Sequence, residues 1–156
     1  MKLLFICTHN RCRSILSEAV TNFYGHDVLT ARSAGSQPVG EVHPLSLKYL
    51  QARGIPTEGL CSQSWDEHES WQPDVVITVC DSAAKETCPV WFGQSIHIHW
   101  SLADPSALDG DDTEVAAAFN TTINMLKHRI EKLLQLTAST TSHAELARLF
   151  NEVAKA

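Results

Sequence analysis

The stretch over residues 3–14 constrains this chain more than any other. Leu3-Leu4-Phe5-Ile6 runs apolar into Cys7-Thr8-His9-Asn10-Arg11-Cys12-Arg13-Ser14, and helical periodicity begins at once, with Ile15, Ala19, Val20 and Phe23 on one face and Gly25 as a stop. A buried strand that ends in a short loop and reopens as a helix is the repeating unit of α/β proteins.

The rest of the chain follows the same alternation. A second strand is predicted over 28–34, with Gly35 as a turn. His43-Pro44 opens a helix that uses Leu45, Leu47, Leu50 and Ala52, and Gly54 ends it. Val75-Val76-Ile77-Thr78-Val79 reads as a fully buried strand, and 95–100 as a shorter one. From Thr113, a long helix is marked by Val115, Ala118, Phe119, Ile123, Leu126, Ile130, Leu133 and Leu134. It breaks over 139–142, and 144–154 forms a last helix with Leu146, Leu149, Phe150 and Val153. Strands alternating with helices imply an α/β sandwich on a parallel sheet, whose ligands bind beyond the carboxyl ends of the strands. Cys7 falls at such an end.

With 156 residues and 44% hydrophobic content, the chain suits one sizeable core. A net charge of −6 speaks against a nucleic-acid partner and against docking on an anionic membrane, so an anionic ligand needs a local positive site. The apolar start before Cys7 is too short for a signal core or a membrane span, and the expected compartment is the cytoplasm. Five cysteines in a reducing compartment point to thiol chemistry or buried packing rather than a disulfide framework.

In the loop, Cys7 and Arg13 are separated by five residues, and a helix follows. A loop winding into a helix N-terminus aims successive N–H groups at one point, which makes Thr8, His9, Asn10, Arg11, Cys12 and Arg13 candidate oxyanion-binding residues. The same field is expected to depress the Cys7 pKa and make it a nucleophile. Arg13 offers a planar fork for two oxygens of a tetrahedral anion. Ser14 is expected to donate to the Cys7 sulfur, and Asn10 tolerates the left-handed backbone a tight nest needs. Asp104-Pro105 supplies either a general acid for a leaving oxygen or an ordinary turn opener.

Cys80 ends the strand that begins at Val75, and so also belongs on the carboxyl edge. Cys88 follows a small, polar, charged segment that reads as a loop or a single helical turn. Three thiols can form a relay: Cys7 attacks the substrate, Cys80 attacks Cys7, and Cys88 resolves Cys80 as a disulfide. The competing reading makes Cys80 and Cys88 small buried hydrophobes. The cysteine spacings do not match common zinc sites, and no metal or cofactor is expected. His97 and His99 share a strand face, which allows metal ligation but fits a structural or solvated role better; Cys61 has no expected catalytic task, and Trp65, Trp71, Trp91 and Trp100 read as packing residues rather than a binding platform.

These residues together resemble the arsenate reductases built on the low-molecular-weight tyrosine phosphatase fold. The resemblance is carried by residues 4–14, Ser33-Ala34-Gly35, His43-Pro44 with Gly54-Ile55, Val79-Cys80-Asp81 with Cys88-Pro89, and His99-Trp100 with Asp104-Pro105. It implies a three-layer sandwich with a four-stranded parallel sheet, Cys7 as nucleophile, Arg13 and the loop as oxyanion site, and Asp104 as general acid. It further implies a Cys80–Cys88 redox pair reduced by thioredoxin, with glutaredoxin as the other donor. Some relatives hold a potassium ion near the loop. Asn10, Glu18 and Ser33 fit that pattern, whereas Gln63, with Asp66 nearby, stands where an acid is expected. His9 replaces a common glycine, and the cysteine pair has one more intervening residue than the thioredoxin-coupled pattern. Residues 1–136 are assigned to the reductase domain and 137–156 to a C-terminal helical extension that caps the fold, swaps between chains or binds a partner.

Three functions follow. The first is arsenate reduction, with phosphate or sulfate as competing oxyanions. The second is phosphomonoester hydrolysis through a Cys7 phosphocysteine, which needs neither Cys80 nor Cys88. The third is a non-catalytic oxyanion sensor. The loop alone does not separate arsenate from phosphate, because the two share shape and charge; only the extra cysteines favour the reductase.

Overall fold

A computed structural model describes residues 1–86, 93, 95–136 and 142–155. Four strands, β1 (Lys2–Ile6), β2 (Thr30–Ala34), β3 (Val75–Thr78) and β4 (Ile96–His99), form a parallel sheet in the order β2-β1-β3-β4. The helices are α1 (Arg13–Tyr24), α2 (Pro44–Ala52), the one-turn α3 (Asp81–Ala84), α4 (Asp112–Leu136) and α5 (His143–Val153), with 3-10 turns at Trp65–Trp71 and Pro105–Ala107. Packed on the sheet, they complete the expected three-layer sandwich.

Sheet position explains strand composition. The central β1 and β3 are buried on both faces and read as continuous apolar runs, whereas the edge strands alternate, exposing Arg32 and His97. Strand β2 starts two residues later than its composition suggests. The N–H groups of Val28 and Leu29 are taken by the carbonyl of Gly25 in the turn after α1, so they are not available to the sheet.

Helix α4 buries Phe119, Ile123, Leu126, Ile130 and Leu133, a spacing that keeps one stripe against the core. Each such side chain contributes about 1.5–3 kcal/mol on burial. Helix α5 adds Phe150 and Val153 to the same cluster and packs against β4 and α4. No described helix is long and apolar enough to cross a membrane.

Register places the functional edge. Pairing of Ile6 with Ala34 and with Thr78 aligns the carboxyl ends of β1, β2 and β3, and Thr78 in turn pairs with His99. Cys7 and Cys80 leave the sheet from neighbouring strands at this edge.

Candidate active site at the carboxyl edge of the sheet

The loop after β1 is held by its carbonyls. Thr8 O accepts from Gln37 N, His9 O from Val39 N and Ser62 Oγ, and Arg11 O from His43 N and Ser46 Oγ. Within each peptide plane the next N–H points the opposite way, so these bonds turn the following N–H groups inward. The His9 N–H donates to the Cys7 sulfur. Among the described residues, no protein acceptor takes the N–H groups of Asn10, Arg11, Cys12, Arg13 or Ser14. Asn10 adopts φ 47°, as the tight nest requires. Helix α1 has no side-chain cap and no acidic residue in its first turn, which leaves its positive end to the loop.

Two features brace this loop from beneath. Asn10 Nδ2 donates to Ser14 Oγ (2.8 Å) and Ser33 Oγ (3.0 Å), while its Oδ1 accepts from Gln63 N (2.8 Å). Gly35 packs so closely that a Cβ there would lie 2.5 Å from Thr8 O and 2.9 Å from Cys7 O. The expected Ser14–Cys7 bond is not among the described contacts; Ser14 Oγ accepts from Asn10 Nδ2, which leaves its O–H as a donor.

Arg13 Nη1 donates to Leu102 O (3.2 Å), and Nη2 lies 3.7 Å from Asp104 Oδ2. Its buried Nε has no partner among the described residues, a donor in need of an acceptor. Asp104 combines both sequence readings. Its Oδ1 caps the 3-10 turn by accepting from Ser106 N (3.0 Å) and Ser106 Oγ (2.6 Å), and its Oδ2 faces Arg13. Cys12 is buried, and burial pushes its thiol up to about 11.

Cys80 sits against the loop. Its sulfur caps α3 by accepting from Ala83 N (3.4 Å) and also accepts from Thr8 N (3.4 Å), with Thr8 Oγ1 at 3.7 Å. The two thiols lie together at this edge, and each shifts the protonation of the other. That contact makes the lowered pKa expected at Cys7 a property of the two thiols together. The bond to Cys80 and then burial raise the Cys7 thiol, and Arg13 and the His9 N–H only partly offset them. The bond from Cys7, supported by the Ala83 and Thr8 N–H groups, lowers Cys80 to about 5. One proton therefore serves two sulfurs, and the charge belongs to the pair.

Sequence reasoning did not anticipate several groups here. Glu86 accepts the Thr8 hydroxyl (2.8 Å), and the Leu102 carbonyl holds Arg13. His68 Nε2 lies 3.1 Å from Ser33 O, beneath the loop. None has a spacing signal, since each meets the loop only through the fold. The Cys80-Asp81-Ser82-Ala83 cap was legible as a strand end running into a helical turn. Cys88, expected as the resolving thiol, lies outside the described residues, as does Trp91. Cys61 is exposed, and His99 bridges Thr78 Oγ1 (2.8 Å) and Asp81 Oδ1 (3.0 Å), a structural role.

The potassium pattern does not fit. Ser33 Oγ donates to Glu18 Oε1 (2.6 Å), and the Ser33 carbonyl is met by both Gln63 Nε2 (3.4 Å) and His68 Nε2. Burial lifts the Glu18 carboxyl to about 7, and Asp66 is exposed. The oxygens that a cation would need are thus already paired with protein donors or partly neutral.

Comparison with known proteins agrees with this geometry. The family model described as low molecular weight phosphotyrosine protein phosphatase matches residues 2–148. An arsenate reductase of Halalkalibacterium halodurans is 31% identical over 129 residues, 83% of this chain and 91% of the relative. A glutaredoxin arsenate reductase of Synechocystis sp. is 31% identical over 133 residues, 85% of this chain and 95% of the relative. A solved structure described as an arsenate reductase in the phosphate binding state superposes with a TM-score of 0.69 at 28% identity, covering 86% of this chain and 96% of the other. A match running from the first strand into the last helix leaves one conclusion: the chain belongs to the low molecular weight phosphotyrosine protein phosphatase family.

Proposed function

We propose that this protein reduces arsenate to arsenite through a cysteine relay, with phosphate and sulfate as competing oxyanions. The observation that carries the reading is the seating of Cys80 against the Cys7 loop, its sulfur accepting from Thr8 N at 3.4 Å, since hydrolysis of a phosphomonoester needs no second thiol there. The names of the relatives support the same substrate.

The anion binds the inward N–H groups of residues 10–14 and the Arg13 fork. The Cys7 sulfur bonds to arsenic, and one oxygen leaves as water carrying the thiol proton and a proton of the substrate. Asp104, beside Arg13, is assigned to pass that proton. The Cys80 thiolate then attacks the Cys7 sulfur. The S–As bonding pair moves to arsenic, which leaves as arsenite, and a Cys7–Cys80 disulfide remains. Cys88 attacks Cys80, frees Cys7 and leaves a Cys80–Cys88 disulfide for a dithiol donor of the thioredoxin or glutaredoxin type. Such a donor belongs with a reducing, cytoplasmic setting.

Replacing Cys80 and Cys88 together by Ser tests this. Multiple-turnover arsenate reduction with a donor supplied is expected to vanish, while hydrolysis of p-nitrophenyl phosphate, whose chemistry needs only Cys7, Arg13 and Asp104, is retained. Mass-spectrometric mapping without donor is expected to find Cys80 bonded to Cys88. Survival of both activities in the double variant would sink the relay.

A further inference from the structure

The segment 100–104 carries Leu102 and Asp104 to Arg13 without helix or strand of its own. Its position is set by tethers. Two are backbone bonds to the end of β3, Trp100 N to Thr78 O (2.8 Å) and Leu102 N to Val79 O (3.2 Å). The third comes from α5: the Trp100 indole N–H donates to the Phe150 carbonyl (2.9 Å).

Trp100 is fully buried. Phe150 stacks on it at 6.0 Å and 25°, and Phe5, two residues before Cys7, touches it from the other side at 6.0 Å. The Arg129 guanidinium of α4 lies 5.6 Å from the same ring and donates through Nη2 to the Ala154 carbonyl just past α5 (3.0 Å). Arg129 is buried; its Nε and Nη1 have no partner among the described residues, and burial lowers its pKa.

Without α5, a buried indole N–H and a buried guanidinium would each lose the acceptor described for them, a cost no apolar neighbour can offset. These two polar groups make sense only with α5 in place. We propose that α5 is a positioning element for the oxyanion site: through Phe150 and Trp100 it fixes the segment that presents the Leu102 carbonyl and Asp104 to Arg13. Helix α5 is then part of the site's frame, and Phe150 and Trp100 are positioning residues that never touch the substrate. The proposal rests on reading the Cys7–Ser14 loop as an oxyanion site.

Calorimetric titration of the full chain with inorganic phosphate tests it. Phe150→Ala removes the stacking partner and is expected to weaken phosphate binding about tenfold. Leu149→Ala removes a neighbouring buried side chain of α5 that is outside the core cluster holding Trp100 and Phe150, and is expected to lower Tm yet keep the dissociation constant within about twofold. Phe150→Tyr keeps the ring and restores binding. If Phe150→Ala does not fold, Phe150→Leu serves in its place, with a smaller loss in the same direction. Folded Phe150 variants with parental affinity would overturn the proposal, as would an equal loss in Leu149→Ala, because general loosening would then explain both. A parent chain that binds no phosphate would bring down the oxyanion reading itself, and the proposal with it. A parent that binds phosphate but reduces no arsenate would remove only the relay.

Discussion

Cys7 and Cys80 end adjacent parallel strands at the same edge of one sheet, yet their surroundings differ in kind. Cys7 opens a loop whose Thr8, His9 and Arg11 carbonyls are anchored, so that its inward N–H groups remain for an anion. Cys80 caps a single helical turn and draws two N–H groups onto its own sulfur. The first arrangement serves a ligand; the second serves a thiolate. The same sheet position therefore yields an anion site or a nucleophile according to whether backbone donors converge on empty space or on the side chain itself.

The largest effect expected from breaking this contrast is at Arg13. Arg13→Lys keeps the charge but loses the fork, and phosphate affinity is expected to fall roughly thirtyfold, with Cys80 alkylation unchanged. A loss of thiolate reactivity at Cys80 in that variant would mean that the two regions are not separable.

Next in size is Gly35→Ala. The new methyl meets backbone oxygens of Thr8 and Cys7 that cannot swing aside. A loss of about 2 kcal/mol in urea unfolding is expected, with weaker phosphate binding in the fraction that folds. Parental stability would show that the loop is looser than its anchored carbonyls imply.

A third test sharpens the electrostatics. The thiol pair keeps one negative charge down to about 5, whereas a thiol in the unfolded chain ionises near its ordinary 9.0. Folding releases a proton between these values, so this pair adds stability as pH rises from about 5 to about 9. Above that window Cys7 retains a proton which the unfolded chain has given up, and the contribution falls again. The difference in unfolding free energy between the parent and a Cys7→Ala, Cys80→Ala double variant should peak near pH 9. A flat difference would show that the two thiols titrate independently.

The contrast also explains what could be read from the chain before folding. The Cys7 loop is contiguous: strand, nest, arginine and helix follow one another, so residue types and spacing carry its chemistry. Asp104 was legible only as a turn or an acid, and it serves as a cap that also faces Arg13. The shared proton was not legible, because no spacing reveals that a thiol 73 positions away will sit on Cys7's own sulfur; register supplies that. Glu86, His68 and the Leu102 carbonyl are of the same kind, each brought in by a different segment of the chain. The segment after 136 reads as an appendage because a helical pattern has no direction. Its packing became visible only through Trp100 and Arg129, whose partners lie on it.

The strand order β2-β1-β3-β4 has a kinetic meaning as well. By seating the two thiols on neighbouring strands, it makes their reaction unimolecular, with an effective molarity on the order of 10⁵ M or more for a well-aligned pair. No dissolved thiol in a cell approaches that concentration. Once an adduct forms on Cys7, capture by Cys80 should outrun every free competitor, and the sheet itself commits the intermediate to its internal route.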